Sequence, residues 1–447
     1  MLATFFCQGV QELGIIYRNQ ERYRMRFRIV MSSVLAWSKS VKLPPGKLSR
    51  LDEMERSDRR TFQTLANQIG PVFKGTIDGR FAICVVGNKI ARRLLSNHSA
   101  ALKPVTIDVS RLFPGEFMRG MQGEFHKSQR VALIKGLGTV NMDVLKPSMH
   151  QIIREHLEAY CKSKSNPARR YDDFYRWSDT LSVITSSMLI QLVLGAKPGS
   201  KLLHDLMRLY RELGPNGVAW NVGDKQVDAY QRISDCLTQS PTIEDAKGLI
   251  TILSNQGQVD ANMLGNLIYM VETGRYDMRG LFRWISKYAA DNPIWMTRIR
   301  TSEPDQRAVV AKAFVQEVLR LDQSERLMRE VLDDIVFEGF LFPKGTLLRV
   351  CMWEAHKDEQ AFEKPFAFRP ERFLSEQTFG EGFSPFGLDQ HLCPFAVFSI
   401  NLASIFLMEL ASGFEISATG GEPSVRGPYH WEPAPDFSAR LTQIKNT

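Results

Sequence analysis

One run of residues, 260–291, constrains the fold more than any other part of the chain, because it predicts a single long helix. Asp260 is a suitable N-cap residue, and Asn292 followed by Pro293 is a stop signal. At a rise of 1.5 Å per residue this helix is roughly 45 Å long, which is enough to cross a whole domain. Residues from about 90 to 320 have mostly helical periodicity, so this region predicts a helical fold.

Strand patterns lie toward both ends of the chain. Residues 80–86 form a β-rich run before a turn at Gly87-Asn88, and residues 335–350 form two such runs around a turn at 343–345. Two uncharged runs, 180–196 and 392–408, predict buried helices. Small sheets at both ends of a helical chain bring the ends together, so we expect a mainly α fold with small β-sheets (α+β) in one domain.

The N-terminal segment differs in charge from the rest of the chain. Residues 1–50 hold nine lysines and arginines against two glutamates, a net charge of +7 out of +8 for the whole chain. Its uncharged runs are much shorter than the about 20 apolar residues that span a bilayer. A peripheral membrane contact and a solvated basic tail both explain this composition, whereas nucleic-acid binding is not expected. A proline-rich turn at 44–46 predicts a basic extension, 1–43, and a domain, 44–447.

Cysteine usage points to one residue. The six cysteines are scattered without paired spacing, which argues for a reducing compartment and against a disulfide framework or a zinc site. Cys393 is followed by Pro394 and a long apolar run, so we expect Pro394 at the first helical position and Cys393 at the N-terminus of that helix. A helix N-terminus favours a thiolate, which is a soft ligand for iron. On its own, Cys393 is explained equally well as a buried cysteine.

The neighbours of Cys393 favour the iron ligand. Phe386-Gly387 and His391 precede the cysteine at spacings that resemble the haem-binding signature of the cytochrome P-450 superfamily. The resemblance implies that Phe386 packs beneath the haem, that His391 meets a propionate and that Cys393 binds the iron. Two positions depart from the pattern: Asp389 replaces a glycine, and Phe395 replaces a small residue. Aspartate tolerates a left-handed backbone, so the turn survives the first change.

Further motifs of the same family follow in order. His126 and Arg130 lie one helical turn apart, where the family binds haem propionates, and Arg329 matches a later propionate-binding arginine. Glu317 and Arg320 lie three apart, and the resemblance pairs them with Arg372 in a buried structural network. Each of these pairs also occurs by chance in unrelated helices.

The long helix departs from the family at its centre. Thr273, Gly274, Tyr276 and Asp277 fall where the family has a small residue, a glycine, an acid and a threonine, so they are the candidate catalytic residues. The glycine lets the backbone approach the iron, and the acid and threonine deliver protons for dioxygen chemistry. Here no alcohol follows an acid. Tyr276, Asp277 or a substrate hydroxyl carries the proton, or the enzyme uses peroxide or rearranges its substrate, with Arg275 then anchoring a substrate carboxylate.

The resemblance implies a haem-thiolate monooxygenase that binds haem b and oxidises a hydrophobic small molecule, in secondary metabolism. It implies an external NADPH/flavin electron donor, namely a flavoprotein reductase or a ferredoxin. We expect a monomer on the cytoplasmic side, associated with the endoplasmic reticulum membrane. The alternatives are a peroxygenase, a redox-partner-independent isomerase or dehydratase, and a haem-binding protein without catalysis. By family position the substrate wall draws on residues 101–120, Met270, Thr273, 324–328 and Tyr429-His430.

Overall fold

The computed structural model of the chain describes residues 41–164, 176–214, 222–239, 248–322, 327–374, 382–427 and 430–444. The basic residues up to 40 lie outside this range, and so does their predicted membrane contact. The chain divides into two compact units, one formed by residues up to 105 together with 326–363, the other by 106–325 together with 364–447. A single catalytic domain over 44–447 stays a prediction.

The first unit is built on a five-stranded sheet, whose strands in spatial order are Val72–Ile77 (β1), Arg80–Val86 (β2), Leu347–Cys351 (β7), Leu327–Val331 (β4) and Leu102–Pro104 (β3). Strands β2 and β7 are parallel, and the other neighbours are antiparallel. Early and late segments therefore share one sheet, as the sequence predicts. The elements of this unit are α1 (Leu51–Ser57), α2 (Thr61–Ile69), β1 (Val72–Ile77), β2 (Arg80–Val86), α3 (Asn88–Asn97), β3 (Leu102–Pro104), β4 (Leu327–Val331), β5 (Ile335–Phe337), β6 (Phe340–Phe342), β7 (Leu347–Cys351) and α13 (Met352–Ala355).

Two-residue turns set the register of the hairpins in this unit. Asp78 and Gly79 connect β1 to β2 with φ values of +49° and +75°, and both residues of a type I′ turn need positive φ. Strand β2 has the predicted bounds. The predicted turn at Gly87-Asn88 is instead a helix start, because Gly87 is the N-cap residue of α3.

The second unit is mainly helical and contains the long helix. Its elements are α4 (Gly123–Thr139), α5 (Met142–Lys164), α6 (Trp177–Leu194), α7 (Lys201–Glu212), α8 (Asp224–Gln239), α9 (Leu249–Asn255), α10 (Ala261–Asp291), α11 (Pro293–Thr301), α12 (Pro304–Leu321), α14 (Ala396–Gly413), β8 (Phe414–Thr419), β9 (Val425–Arg426), β10 (Trp431–Glu432) and β11 (Ser438–Gln443). The predicted long helix is confirmed as α10. Its N-cap is Asp260, whose side chain accepts the Met263 N–H at 2.7 Å, and Pro293 begins the next helix.

Helices α6 and α14 coincide with the two uncharged runs. Both pack into the apolar core of the second unit, with α6 against α10, and with α14 against α5 and α12. Among the described residues they are the two helices whose length and composition would allow a membrane crossing, but 78% of α6 and 50% of α14 are buried inside the fold. The prediction of a buried helix is therefore confirmed for α6 and in part for α14, and both helices are weak evidence for a membrane span.

Candidate functional site

Cys393 lies three residues before the first residue of α14, in a segment (residues 384–395) that we call the cysteine turn. Gly387 has a φ of +94°, in the left-handed region that favours glycine. The Cys393 N–H donates to the Phe386 carbonyl at 3.0 Å, and the Ala396 N–H donates to the Cys393 carbonyl at 3.3 Å. Backbone hydrogen bonds therefore hold the cysteine on both sides, and its side chain is half-buried.

The prediction that α14 begins at Pro394, with Cys393 at its N-terminus, is wrong. Pro394 is not the first helical residue, because α14 begins at Ala396 with Phe395 as its N-cap. The proline therefore lies in the turn before the helix. Asp389 begins a 3₁₀ helix that ends at His391, so the left-handed backbone considered for this position is not present.

Helix α4 brings His126 and Arg130 to the cysteine turn. The His126 ring is buried and stacks on the His391 ring, with 4.6 Å between the ring centroids. Arg130 Nη2 donates to the Leu392 carbonyl at 2.7 Å. Burial lowers the pKa of His126, and the charge of Arg130 lowers it further. Four of the predicted cofactor-binding residues, His126, Arg130, His391 and Cys393, therefore lie together.

Arg130 is also electrostatically coupled to Cys393. Burial lowers the pKa of Arg130, while the negative charge of a Cys393 thiolate acts in the opposite direction. An arginine remains protonated even after such a shift, because its ordinary pKa is above 12. A fixed positive charge close to a cysteine favours the thiolate, which is the form that binds a metal. The donor set of the cysteine turn is thus a single sulfur beside a cation.

Two other predicted cofactor-binding residues, Phe386 and Arg329, are partly or fully buried. Phe386 is half-buried and packs against the apolar core of the second unit. Arg329 is buried in strand β4 of the first unit, where its Nη1 donates to the Met328 carbonyl at 2.9 Å. Propionate binding by Arg329 stays a prediction.

Helix α10 is mostly buried, but it has one partly accessible face. Met270, Thr273 and Asp277 are spaced three and four apart, so they share this face, and all three are partly exposed. The Asp277 side chain is 49% exposed. The Thr273 hydroxyl donates to the Tyr269 carbonyl at 3.1 Å. The structure thus brings an alcohol and an acid, two of the four predicted catalytic residues, to what we call the accessible face of α10.

Gly274 has a packing reason that the sequence does not show. A Cβ atom at this position would lie 3.2 Å from Cδ1 of Leu189 on α6, which is tighter than an ordinary contact. The glycine therefore lets α10 approach α6 closely. Its predicted role, a close approach of the backbone to iron, stays a prediction.

The contacts of Tyr276 argue against a role as a proton donor. Its hydroxyl donates to the Glu432 carboxylate on β10, and Arg283 Nη1 binds the same carboxylate at 3.1 Å. Burial and the charge of Glu432 raise the pKa of Tyr276 far above its ordinary value. The guanidinium of Arg279 lies 5.0 Å from the centre of the Tyr276 ring. Tyr276 is therefore part of a buried ion network, and Asp277 remains the accessible acid.

His430 is the residue at this site whose role the sequence does not indicate. It directly precedes β10, is 4% exposed, and places Nε2 3.4 Å from Asp277 Oδ1. A Cβ at Gly280 would lie 2.4 Å from His430 Cε1, so only glycine lets the ring lie against α10. The sequence places His430 in the predicted substrate wall but does not indicate its contact with Asp277, because no local spacing links positions 277 and 430.

The predicted buried network around Glu317 is confirmed. Arg320 donates from Nε and Nη2 to the Glu317 carboxylate at 2.8 Å each, and neither side chain is exposed. Arg372 Nε donates to the same carboxylate at 3.2 Å, and the Arg369 N–H donates at 2.8 Å. Each buried charge is thus paired and hydrogen-bonded, which is what makes its burial tolerable.

Arg275 is not placed to anchor a substrate carboxylate. It is 8% exposed and donates from Nε to Glu272 at 2.8 Å. Its Nη2 donates to the Gly214 carbonyl at 2.7 Å and to Glu272 at 3.0 Å. Because the guanidinium is committed to these partners, the suggested anchoring role is wrong.

Comparisons with known proteins agree with these motifs. The sequence profile of the family Cytochrome P450 matches residues 303–427, a segment that contains Glu317, Arg320, Arg372 and Cys393. Abscisic acid 8′-hydroxylase 1 of Arabidopsis thaliana is 21% identical over 440 residues, which cover 90% of this chain and 92% of that protein. The chain belongs to the cytochrome P450 superfamily. Haem is the cofactor that membership implies, and no group of three or more His, Cys, Asp or Glu in the described part of this P450 forms another metal site.

Other relatives match this P450 over shorter segments. Cytochrome P450 CYP82D47 of Panax ginseng is 34% identical over 132 residues, 28% of this chain and 36% of that protein. Flavonoid-6-hydroxylase of Ocimum basilicum is 33% identical over 132 residues, 28% of this chain and 25% of that protein. The chain thus aligns with a quarter to about a third of the length of these two relatives.

Solved structures support the fold. The structure of retinoic acid-bound cyanobacterial CYP120A1 has a TM-score of 0.70 at 20% identity and covers 90% of this chain and 100% of its own. A zebrafish cytochrome P450 with abiraterone has a TM-score of 0.67 at 18% identity, covering 86% of this chain and 99% of its own. The predicted mainly helical fold with small β-sheets is therefore confirmed.

Proposed function

We propose that this P450 is a haem-thiolate monooxygenase that inserts one oxygen atom into a hydrophobic small molecule of secondary metabolism. The reaction hydroxylates, epoxidises or further oxidises the substrate. Relatives named as hydroxylases, among them abscisic acid 8′-hydroxylase 1 and flavonoid-6-hydroxylase, support this class of reaction. The observation that carries the proposal is Cys393, which lies before α14 beside the cation of Arg130.

The residues at the cysteine turn fit a haem b. Cys393 provides one soft sulfur ligand, and His126, Arg130 and His391 provide polar groups for propionates next to it. Arg329 is proposed as a further propionate ligand, and Phe386 as the aromatic residue packed beside the ring. When bound, a thiolate-ligated haem activates dioxygen, because the thiolate pushes electron density toward the iron and favours O–O cleavage.

The protein must supply protons and route electrons. Monooxygenation converts substrate, O₂, two electrons and two protons into oxidised product and water. Thr273 and Asp277 share the accessible face of α10, so the alcohol lies one turn before the acid instead of directly after it. We assign proton delivery to Asp277, with Thr273 and Gly274 beside it. The electrons come from an external NADPH-dependent flavoprotein reductase or a ferredoxin.

A second function is favoured by one observation. Tyr276 occupies the position of the usual acid and is engaged with Glu432, so the usual relay is absent from this stretch of α10. A peroxygenase needs no such relay, because hydrogen peroxide and substrate give oxidised product and water without added protons or electrons. A redox-partner-independent isomerase or dehydratase needs none either.

Spectroscopy and two turnover assays test these proposals. The absorption spectrum of the reduced carbon monoxide complex reports thiolate ligation, and we expect Cys393→Ser to abolish the thiolate form. A variant that keeps the wild-type spectrum and product would refute the assignment of Cys393. Product formation with NADPH and a reductase supports the monooxygenase, whereas product formation only with hydrogen peroxide supports the second function.

The cellular setting is also a proposal. We assign the basic extension, 1–43, a peripheral contact with the cytoplasmic face of the endoplasmic reticulum membrane, and we expect a monomer. Sedimentation with anionic vesicles tests the membrane contact. Removal of residues 1–43 should abolish co-sedimentation while leaving the carbon monoxide spectrum unchanged. Equal co-sedimentation of both forms would refute the assignment.

A further inference from the structure

We propose that His430 is a positioning residue that acts through Asp277 and holds the proton that Asp277 delivers. The proposal rests on the proposed function, because it deepens the role given to Asp277. The contact between His430 Nε2 and Asp277 Oδ1, at 3.4 Å, is its starting point. Both of these atoms are buried, whereas the Asp277 side chain as a whole is about half exposed. The carboxylate therefore meets the histidine on one side and the accessible face of α10 on the other.

The partners of the two ring nitrogens fix the number of protons. His430 Nδ1 lies 3.1 Å from the Trp431 carbonyl, which can only accept, so Nδ1 carries a proton. Nε2 faces a carboxylate oxygen. Either Nε2 is protonated and Asp277 is ionised, or Nε2 is bare and Asp277 carries the proton. In both arrangements the pair holds one proton beyond the one on Nδ1, and that proton passes between the two atoms when the 3.4 Å contact shortens to hydrogen-bond length.

The surroundings of His430 favour the protonated ring. Burial lowers the pKa of His430, but the contact with Asp277, the charges of Asp277 and Glu432 and the Trp431 carbonyl outweigh burial, so the pKa is raised above its ordinary value. Tyr276 on α10 lies against the ring, with 5.7 Å between centroids. The other charged groups of this network are Arg279 and Arg283, which accompany Tyr276 and Glu432.

The proton balance of the step is simple. His430 Nε2 passes the shared proton to the Asp277 carboxylate, and Asp277 releases that proton into the accessible space beside α10, which leaves the carboxylate ionised. His430 is then neutral, with Nδ1–H still donating to the Trp431 carbonyl. A proton from water restores the pair before the next delivery. No electron changes hands, and no group is needed beyond those present and water.

The geometry also ties this pair to one glycine. Gly280 is one turn after Tyr276 on α10, and any Cβ there would collide with the His430 ring. The position of the ring is therefore set by helix packing on one side and by its own Trp431 carbonyl on the other. A ring fixed in this way holds Asp277 in one orientation, which is what a positioning residue must do.

The first test measures the proton itself and needs no turnover. The imidazole of His430 is followed by NMR in the reduced, carbon monoxide-treated protein with isotope-labelled histidine, and His430→Gln identifies its signal. We expect a pKa above the ordinary value near 6.5 in the wild type and a lower pKa in Asp277→Asn, because burial is then opposed only by the charge of Glu432 and by the Trp431 carbonyl. An unchanged pKa in Asp277→Asn would overturn the proposal. His204→Gln, the same change at an exposed site, is the control for assignment.

The second test separates proton delivery from folding. In His430→Gln the amide can still donate to Asp277, but it cannot hold a transferable proton. We expect NADPH-driven product formation to fall about tenfold or more, with hydrogen peroxide released instead, while peroxide-driven product formation changes less than about twofold. The alkaline decline of the NADPH-driven rate, which follows deprotonation of His430, should disappear. His204→Gln should behave as the wild type.

Failure of this proposal differs from failure of the proposed function. If wild type forms product with NADPH and His430→Gln matches it in rate, coupling and pH profile, the role of His430 is refuted and the monooxygenase stands. Equal losses in the NADPH and peroxide assays would refute it as well, because they indicate a purely structural residue. If wild type forms no product with NADPH, the monooxygenase fails, and the NMR measurement still decides whether the pair shares a proton.

Discussion

Removing the charge of Glu317 should destabilise this P450 severely. Its carboxylate accepts from Arg320 at 2.8 Å, from Arg372 at 3.2 Å and from the Arg369 N–H at 2.8 Å, and it is not exposed. In Glu317→Gln an amide N–H₂ replaces one acceptor, and two guanidiniums lose the negative charge that they share. Breaking a buried ion pair costs about 3–5 kcal/mol, a large part of the roughly 5–15 kcal/mol of a folded domain.

Chemical denaturation followed by circular dichroism measures this loss. Glu124→Gln is the matched control, because Glu124 pairs with Lys127 at 3.7 Å while its side chain is 91% exposed, and such a pair contributes at most about 1 kcal/mol. The double variant Glu317→Gln/Arg372→Gln should lose less than the sum of its single variants, because one uncompensated charge is gone. If Glu317→Gln is no less stable than Glu124→Gln, the reasoning about this network is refuted.

Three further predictions follow from single contacts. Gly280→Ala should lower the free energy of unfolding by about 1–3 kcal/mol and lower the pKa of His430 measured by NMR, because the new Cβ would collide with the His430 ring. Gly138→Ala is the control: a Cβ there has nothing within 4 Å, so this variant should be neutral or stabilising in the same denaturation assay. Burial raises the pKa of Tyr160 to about 12, so the contribution of the Tyr160 hydroxyl to stability is complete below about pH 10 and is lost as the pH rises toward 12. Ultraviolet titration of the wild type against Tyr160→Phe should show that Tyr160 ionises near pH 12. Ionisation of Tyr160 at about pH 10 would contradict the prediction. Arg130→Gln should lower the amount of haem bound per chain, measured by pigment-to-protein ratio, and full occupancy would contradict its assignment.

Local patterns predict the elements, and the family resemblance predicts one of the networks. Helix α10 is confirmed to within one residue, because Asp260 caps it and Pro293 begins the next helix. Strand β2 has its predicted bounds, since an apolar β-branched run between turn residues leaves little choice of register. Glu317 and Arg320 lie three apart, a spacing that brings opposite charges together on one helix face, and the family resemblance predicts their buried network with Arg372.

The predictions that failed depend on geometry between elements or on the detail of one turn. Nothing in the sequence shows that the helix after Cys393 begins at Ala396, because proline is tolerated both at the first helical position and in the turn before it. The spacing of three that pairs Glu317 with Arg320 also joins Glu272 and Arg275, but the sequence does not show that the Gly214 carbonyl occupies Arg275 Nη2. His430 was found only through a contact that joins positions far apart in the chain.

The departure of α10 from the family pattern has a physical explanation in that contact. A carboxylate at 276 would lie against Glu432, and two buried like charges would repel, whereas the tyrosine hydroxyl donates to that carboxylate. With position 276 committed in this way, the acid that remains accessible is Asp277, and its neighbour directly before β10 is His430. The altered motif of α10 and the residues at β10 are therefore parts of one arrangement, and a change in either would need a matching change in the other.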